Sequence, residues 1–308
     1  MNDLRRHSED YLSVRRALGY KLIGEGRLLV DFVSFLEDAG AATVKTSLAV
    51  AWTTQAATGS AAYLARRMRV ARCFAGYLGS LDQATEVPPT DLFPAGKHRP
   101  VPYIYSDSDV LALMTAARSL SPGLRAATFG ALIGLLAATG MRVSEAMALD
   151  VDDVDWAGMA LTVRDSKYGK SREVLVHPST LDALDNYNRQ RARLAPSRFA
   201  PSFFVSARGT RLGHETVQPT FRQLVRHAGL RQPSSSPQPH LHGFRHSFAV
   251  NTLLGWYRDG GDVAVRMPLL STYLGHVDPA ATYWYISAIP ELLALAAERL
   301  DDDCRAGS

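Results

Sequence analysis

Cysteine is scarce: Cys73 and Cys304 are the two in a chain of 308 residues. Two isolated thiols build no disulfide framework and carry no zinc-binding spacing, which favours a reducing compartment. Cys73 falls in an apolar-periodic segment and is expected in the core or at its boundary; Cys304 falls in a polar tail. Long hydrophobic runs are also missing. The longest, residues 129–141, contains Thr139 and is too short to cross a bilayer. The opening stretch, MNDLRRHSEDYLSVRR, has no apolar signal core. The expectation is a soluble cytoplasmic protein without a membrane partner. A strong excess of one charge is lacking too. The net charge is +4 and the pI about 9.1, basic enough to permit a polyanionic partner without requiring one. Lysine is sparse and arginine plentiful, and arginine's planar fork suits phosphate.

What is present is a globular chain, 46% hydrophobic and long enough for two cores. Residues 1–93 read as helical. Leu28, Leu29, Phe32, Phe35 and Leu36 recur at helical spacing before Gly40, and a second helix is expected over 61–78, with Leu64, Met68, Ala71, Phe74 and Leu78 on its apolar side. Arg66, Arg69 and Arg72, with Arg67 beside them, form a basic stripe along that helix. Such a stripe is ordinarily a solvated face; in a DNA-binding chain it contacts phosphates. Residues 94–103 read as a linker, rich in proline and basic, where Lys97 and Arg99 could track a DNA backbone.

Residues 104–308 read as a second domain. Ser106 or Asp107 can cap a helix running toward Arg118, and 126–138 is expected as a buried helix. Leu161 and Val163, then Val174 and Val176, look like strands flanking the turn 165–171, with Phe203-Phe204-Val205 as a candidate third strand. Residues 232–239 are a loop rich in proline and serine. A short helix is expected over 268–274, with Pro268 near its first position and Gly275 just past its end. Residues 290–300 read as amphipathic, with Leu292, Leu293, Ala296 and Leu300 apolar, and 301–303 as a frayed tail.

Six residues of this second region carry chemistry: Arg142, Lys167, His242, Arg245, His276 and Tyr285. Arg142 follows Gly140 and precedes a helix start, where backbone N–H groups favour an anion. Glu145, one turn on, can orient its guanidinium, although Arg and Glu three apart are usually a plain surface pair. Lys167 sits at a hairpin tip with Lys170 and Arg172 nearby; a solvated turn is the simplest account of that cluster. His242 and Arg245, three apart, share a helix face. His240, His242 and His246 could bind zinc, but no cysteine or HExxH pattern accompanies them, so no metal is expected. His276 leaves a tight helix end. Tyr285 lies in an aromatic cluster with Tyr283 and Trp284, which is usually packing.

Taken together, ATGMRVSE, SKYGKSR, HGFRHSFA and YLGHVDPAATYWY resemble the motifs of the tyrosine recombinase (phage integrase) family. The resemblance covers residues from about 104 onward; the first region, through ARRMRVARCFAGYL, looks like that family's core-binding domain, and no further arm-binding domain is expected before it. The segment from Leu269 to Leu293 looks most like recombinases carried on transposons. The resemblance implies a mainly α fold with a small β-sheet: a helical SAM-like core-binding domain and an α+β catalytic domain. It implies breakage and rejoining of double-stranded DNA through Tyr285 as nucleophile, without cofactor, metal or ATP. Arg142 and Arg245 would hold the phosphate, His242 would act as base, Lys167 as acid, and His276 would steady the phosphate or the tyrosine. It further implies a C-terminal helix docking on a neighbouring protomer, hence a homo-tetramer or mixed recombinase tetramer on DNA; packing of that helix on its own domain is an equal alternative. Two other functions stay open: a non-catalytic DNA-binding protein derived from a recombinase, and relaxation of the type IB topoisomerase kind.

Overall fold

The computed structural model describes residues 3–56, 60–94, 101–164, 171–194, 201–233, 236–276 and 278–306, with the side chains of Ala288 and 300–306 left aside. Lys97, Arg99, Lys167 and Lys170 lie outside the described residues, as do residues 165–170 of the turn expected over 165–171 and most of the 94–103 linker. The protein is mainly helical with one small sheet, in two units, 1–99 and 100–308.

The first unit holds α1 (Asp3–Ala17), α2 (Ile23–Asp38), α3 (Thr46–Thr54) and α4 (Ala61–Leu78). Its core is Leu29, Phe32, Leu36, Trp52, Met68, Phe74 and Leu78, supplied by the apolar faces of α2, α3 and α4. The α4 helix begins at Ser60, whose hydroxyl accepts from the Tyr63 N–H. Cys73 is exposed rather than at the core. The buried positions of α4 are 67, 68, 70, 71, 74, 75 and 78, and residue 73 falls between them on the outer face.

The second unit holds α5 (Asp107–Arg118), α6 (Gly123–Thr139), α7 (Val143–Ala148), β1 (Val154–Asp155), β2 (Ala160–Val163), β3 (Arg172–Leu175), α8 (Pro178–Leu194), α9 (His214–His227), α10 (Gly243–Arg258), α11 (Val263–Leu274), α12 (Ala280–Ala288) and α13 (Pro290–Ala306). Ser106 caps α5 in a reciprocal box with Asp109. The sheet is antiparallel in the order β1-β2-β3, with Leu161 opposite Val174 and Val163 opposite Arg172. That register puts Leu161, Val163 and Val174 in the core and starts β3 at Arg172.

Several expectations change. The third strand is β1, not 203–205. Phe203, Phe204 and Val205 are all buried, and Phe203 and Phe204 pack around Tyr187, so the segment plugs the core instead of alternating between faces. Helix α11 starts at Val263, capped by the Asp262 side chain, and Pro268 lies inside it. Helix α13 runs to Ala306, past the acidic stretch read as a frayed tail, and Leu293 is 53% exposed while Leu292 is fully buried.

Two apolar clusters fill this unit. One gathers around α6, the sheet, α8 and α9; the other is formed by α10 to α13. Helix α10 belongs to both, offering Phe244 to the first and Ala249, Val250 and Leu253 to the second. Its N-terminus is fixed from outside the helix. The Tyr105 ring stacks on Phe244 at 4.3 Å, and the Tyr105 N–H donates to Ser247 Oγ at 2.7 Å. Arg245 and His246 therefore sit on a rigid support.

Candidate active site

The site is built at the C-terminal end of α11. That helix stops at Gly275, which has φ +68, and a Cβ there would come within 3.1 Å of the Arg172 guanidinium. The carbonyls that end a helix need donors. Here they find arginines: Gly275 O accepts from Arg142 Nη2 at 2.9 Å and Leu274 O from Arg245 Nη2 at 2.5 Å. Arg142 and Arg245, 103 positions apart, are thus held on neighbouring carbonyls. Arg245 also donates to Gly140 O at 3.1 Å, at the left-handed turn that ends α6.

Glu145 ties the cluster together. Its carboxylate accepts from Arg142 Nη1 at 2.6 Å and from the Arg142 backbone N–H at 3.0 Å. Arg172 completes a two-toothed pair with the same carboxylate at 3.0 and 2.9 Å. Burial opposes the charge on Glu145, but the hydrogen bonds and charge of Arg172, then those of Arg142, hold its carboxyl at about 2. Arg245 is almost wholly buried. Burial first, then the charge of Arg142, push it down to about 10, with Glu145 and Tyr285 acting the other way. It stays charged at neutral pH.

Tyr285, on α12, is 1% exposed. Its hydroxyl lies 2.9 Å from His246 Nδ1, and the His246 ring meets His242 edge-on with centroids 4.6 Å apart. His242 itself is exposed at the N-terminus of α10. His276, two residues past Leu274, pairs through Nδ1 with the buried Thr282 hydroxyl at 2.7 Å, which joins the turn after α11 to α12. Among the described residues no group of three or more His, Cys, Asp and Glu is placed to hold a metal ion, and no helix is long and apolar enough to cross a membrane.

The fold therefore gathers Arg142, Glu145, Arg245 and His276 around one helix end. Tyr285 is near enough to influence Arg245, and His242 is linked to it through His246. His246 entered the sequence reading only as a metal candidate. The available signal was its place one turn after His242 on α10. Of the candidate DNA contacts, three have partners within the protein. Arg67 is buried, stacks over Trp52 at 3.8 Å and donates to Trp52 O at 2.8 Å, because α2 and α3 close over it. Arg72 donates to Pro88 O and Pro89 O, pinning the chain that follows α4. Arg172 is 13% exposed and committed to Glu145 and Tyr273 O. Arg69 is exposed, and Arg66 is at the surface with Glu25 at 3.0 Å.

Comparison with known proteins shows the family to which the chain belongs. The phage integrase family pattern matches residues 105–291. The Sinorhizobium fredii protein y4rB, an integrase/recombinase by its name, is 39% identical over 307 residues, 98% of each chain. The tyrosine recombinase XerD of Mycobacterium leprae is 34% identical over 212 residues, 65% of this chain and 63% of that one. A solved structure of the Tn1549 transposon integrase in complex with transposon right end DNA shares the fold, with TM-score 0.66 at 16% identity, covering 96% of this chain and 99% of that one. The chain belongs to the phage integrase family and is a tyrosine recombinase enzyme.

Proposed function

We propose that this chain cuts and rejoins double-stranded DNA at a specific site through a 3′-phosphotyrosyl intermediate, in the service of a mobile element. The observation that carries the reading is the anchoring of Arg142 and Arg245 on adjacent carbonyls beside Tyr285. Tyr285 Oη attacks the scissile phosphorus, the bond to O5′ breaks, and a free 5′-hydroxyl leaves. A phenol near pKa ~10 is only about one part in a thousand ionised at neutral pH, so a base is needed. His242 takes the phenolic proton, and Lys167 protonates the departing O5′. Arg142 and Arg245 hold the two non-bridging oxygens as charge builds on them, and His276 steadies the phosphate from the turn after α11. Rejoining reverses the step, with a 5′-hydroxyl displacing Tyr285. The phosphotyrosine keeps the energy of the broken linkage, so no ATP enters the balance, and Arg142 and Arg245 supply the positive charge that a metal would otherwise bring.

His246 is a second reading for the proton acceptor, favoured by its 2.9 Å contact with the phenol. Glutamine at each histidine separates the two: the true base is the one whose loss removes the ascending limb of the pH–rate profile.

The test is a suicide-substrate assay resolved on a denaturing gel. Tyr285→Phe is expected to bind site DNA normally and form no covalent adduct, whereas Tyr283→Phe cleaves. An adduct with Tyr285→Phe moves the nucleophile elsewhere. Absence of any adduct with the native chain favours the non-catalytic alternative. EDTA is expected to leave cleavage intact; loss restored by zinc would reopen metal binding by the histidines. Relaxation of supercoiled DNA lacking a target site would favour the topoisomerase-like reading.

A further inference from the structure

Three consecutive carbonyls end α11, and three arginines from three different elements each take one. Tyr273 O accepts from Arg172 Nε at 2.9 Å, Leu274 O from Arg245 Nη2 at 2.5 Å, and Gly275 O from Arg142 Nη2 at 2.9 Å. Two of these cations share the Glu145 carboxylate, so the cluster carries three positive groups against one negative. Arg172 uses all three of its nitrogens in this arrangement. It has no part in the proposed chemistry, yet it touches both the carboxylate that orients Arg142 and the turn that holds Arg142 and Arg245.

We propose that Arg172 is a positioning residue for strand cleavage: by gripping Glu145 and the last turn of α11 it sets where Arg142 and Arg245 present their charge to the scissile phosphate. This rests on the reaction proposed above. The physical reason is competition for charge. Glu145 is 4% exposed at its side chain, and a buried carboxylate draws to itself whatever cation is in reach. With Arg172 as its two-toothed partner, Glu145 is already neutralised, and Arg142 touches it through one terminal nitrogen and its backbone N–H. Without Arg172, Arg142 becomes the sole neutralising partner among these contacts and its charge turns from the phosphate toward the carboxylate. Lysine is not an equivalent replacement, since a point charge cannot span both carboxylate oxygens and the Tyr273 carbonyl. The close approach at Gly275 belongs to the same device: the Arg172 guanidinium lies where a side chain at 275 would begin.

The experiment compares the full-length native chain with Arg172→Ala and Arg172→Lys in DNA binding and in single-turnover cleavage of a suicide substrate. The expected result for Arg172→Ala is unchanged affinity and salt dependence with cleavage slowed about a hundred-fold, the size of losing one stabilising donor. Its pH–rate profile gains an acid limb as Glu145 begins to titrate. Arg172→Lys falls between the two and serves alone should the alanine variant fail to fold. A second substrate, with a neutral methyl replacing one charged oxygen on the scissile phosphate, needs less cationic charge. On it the defect is expected to shrink at least ten-fold, which a merely loosened fold would not do. Cleavage at the native rate, or a defect confined to affinity and salt dependence, overturns the proposal. No adduct from the native chain on either substrate would instead sink the underlying reading of the reaction.

Discussion

At the scale of single residues, two strongly displaced ionisable groups lie in the arginine cluster. The Glu145 carboxyl falls from an ordinary 4.5 to about 2. A carboxyl depressed by folding adds stability that is complete above its unfolded value and drains away as pH falls through its folded one. The unfolding free energy from urea titrations is therefore expected to fall between about pH 4.5 and 2, by on the order of 3 kcal/mol for this group. Glu145→Gln should remove that part of the acid sensitivity and, by leaving Arg142 and Arg172 without a counter-charge, cost about 3–5 kcal/mol at neutral pH. Arg245 makes the opposite case. The surroundings that lower it from 12.5 to about 10 would lower a lysine as well. Burial and the neighbouring arginines would therefore push that lysine below its ordinary value. Arg245→Lys is thus expected to cleave about a hundred-fold more slowly than the native chain at mildly alkaline pH, with the deficit shrinking as the pH is lowered; a deficit independent of pH would show that the lysine escapes the burial Arg245 endures.

At the scale of elements, local pattern and tertiary capture part company. Helix α4 was legible to the residue at both ends, because Ser60 caps it and its apolar spacing is regular. The strands on either side of the 165–170 turn were legible from their valines and leucine. What local pattern does not carry is a partner far away in sequence. Arg67 looked like part of a basic stripe because nothing near it in the chain announces Trp52 or Asp31, which enclose it. Arg172 looked like a DNA contact because its acceptors, Glu145 and Tyr273 O, lie 27 and 101 positions away. The 203–205 segment had strand composition, but among the described residues it pairs only through isolated bridges, Asp150 with Ser202 and Val205 with Arg211, and its buried side chains serve as packing. On α4, then, neighbouring arginines should behave differently. Arg67→Ala is expected to destabilise the first unit by about 2–3 kcal/mol, through loss of its stacking and its hydrogen bond to Trp52 O, with little effect on the salt dependence of DNA binding. Arg69→Ala, exposed on the next part of the turn, should leave the melting temperature alone and lower the salt slope by about one. Equal effects of the two on DNA affinity would restore the continuous stripe.

At the scale of the whole molecule, the reaction proposed above would divide chemistry and affinity between two units with separate cores. Each unit buries its own apolar cluster, and every described member of the arginine cluster, with His246, His276 and Tyr285, belongs to residues 100–308. Within that unit α13 closes the second cluster: Leu292 is fully buried, and Arg299 donates to Trp256 O, Tyr257 O and Gly261 O at the end of α10. That hold matters for the tetramer the family resemblance implies. A helix that leaves its own domain for a neighbour's can remake the same three hydrogen bonds there, so the contacts it breaks first govern the rate of exchange more than its yield. Arg299→Ala is accordingly expected to quicken multimer formation on site DNA, followed by light scattering, with little change in the final fraction assembled; an unchanged rate with a reduced fraction would place α13 on its own domain throughout. The division of labour has a sharper consequence. A chain beginning at residue 100 keeps every group proposed to touch the phosphate and loses the exposed cation Arg69 and its neighbours on α4. Because phosphate contacts contribute affinity in proportion to their number, while transition-state stabilisation depends on the fixed cluster, the two should separate. The truncated chain is expected to bind site DNA more than ten-fold more weakly, with a shallower salt slope, yet at saturating DNA to form the phosphotyrosyl adduct within about ten-fold of the native rate. A truncated chain that folds, saturates and still forms no adduct would mean that the first unit helps assemble the site as well as hold the DNA.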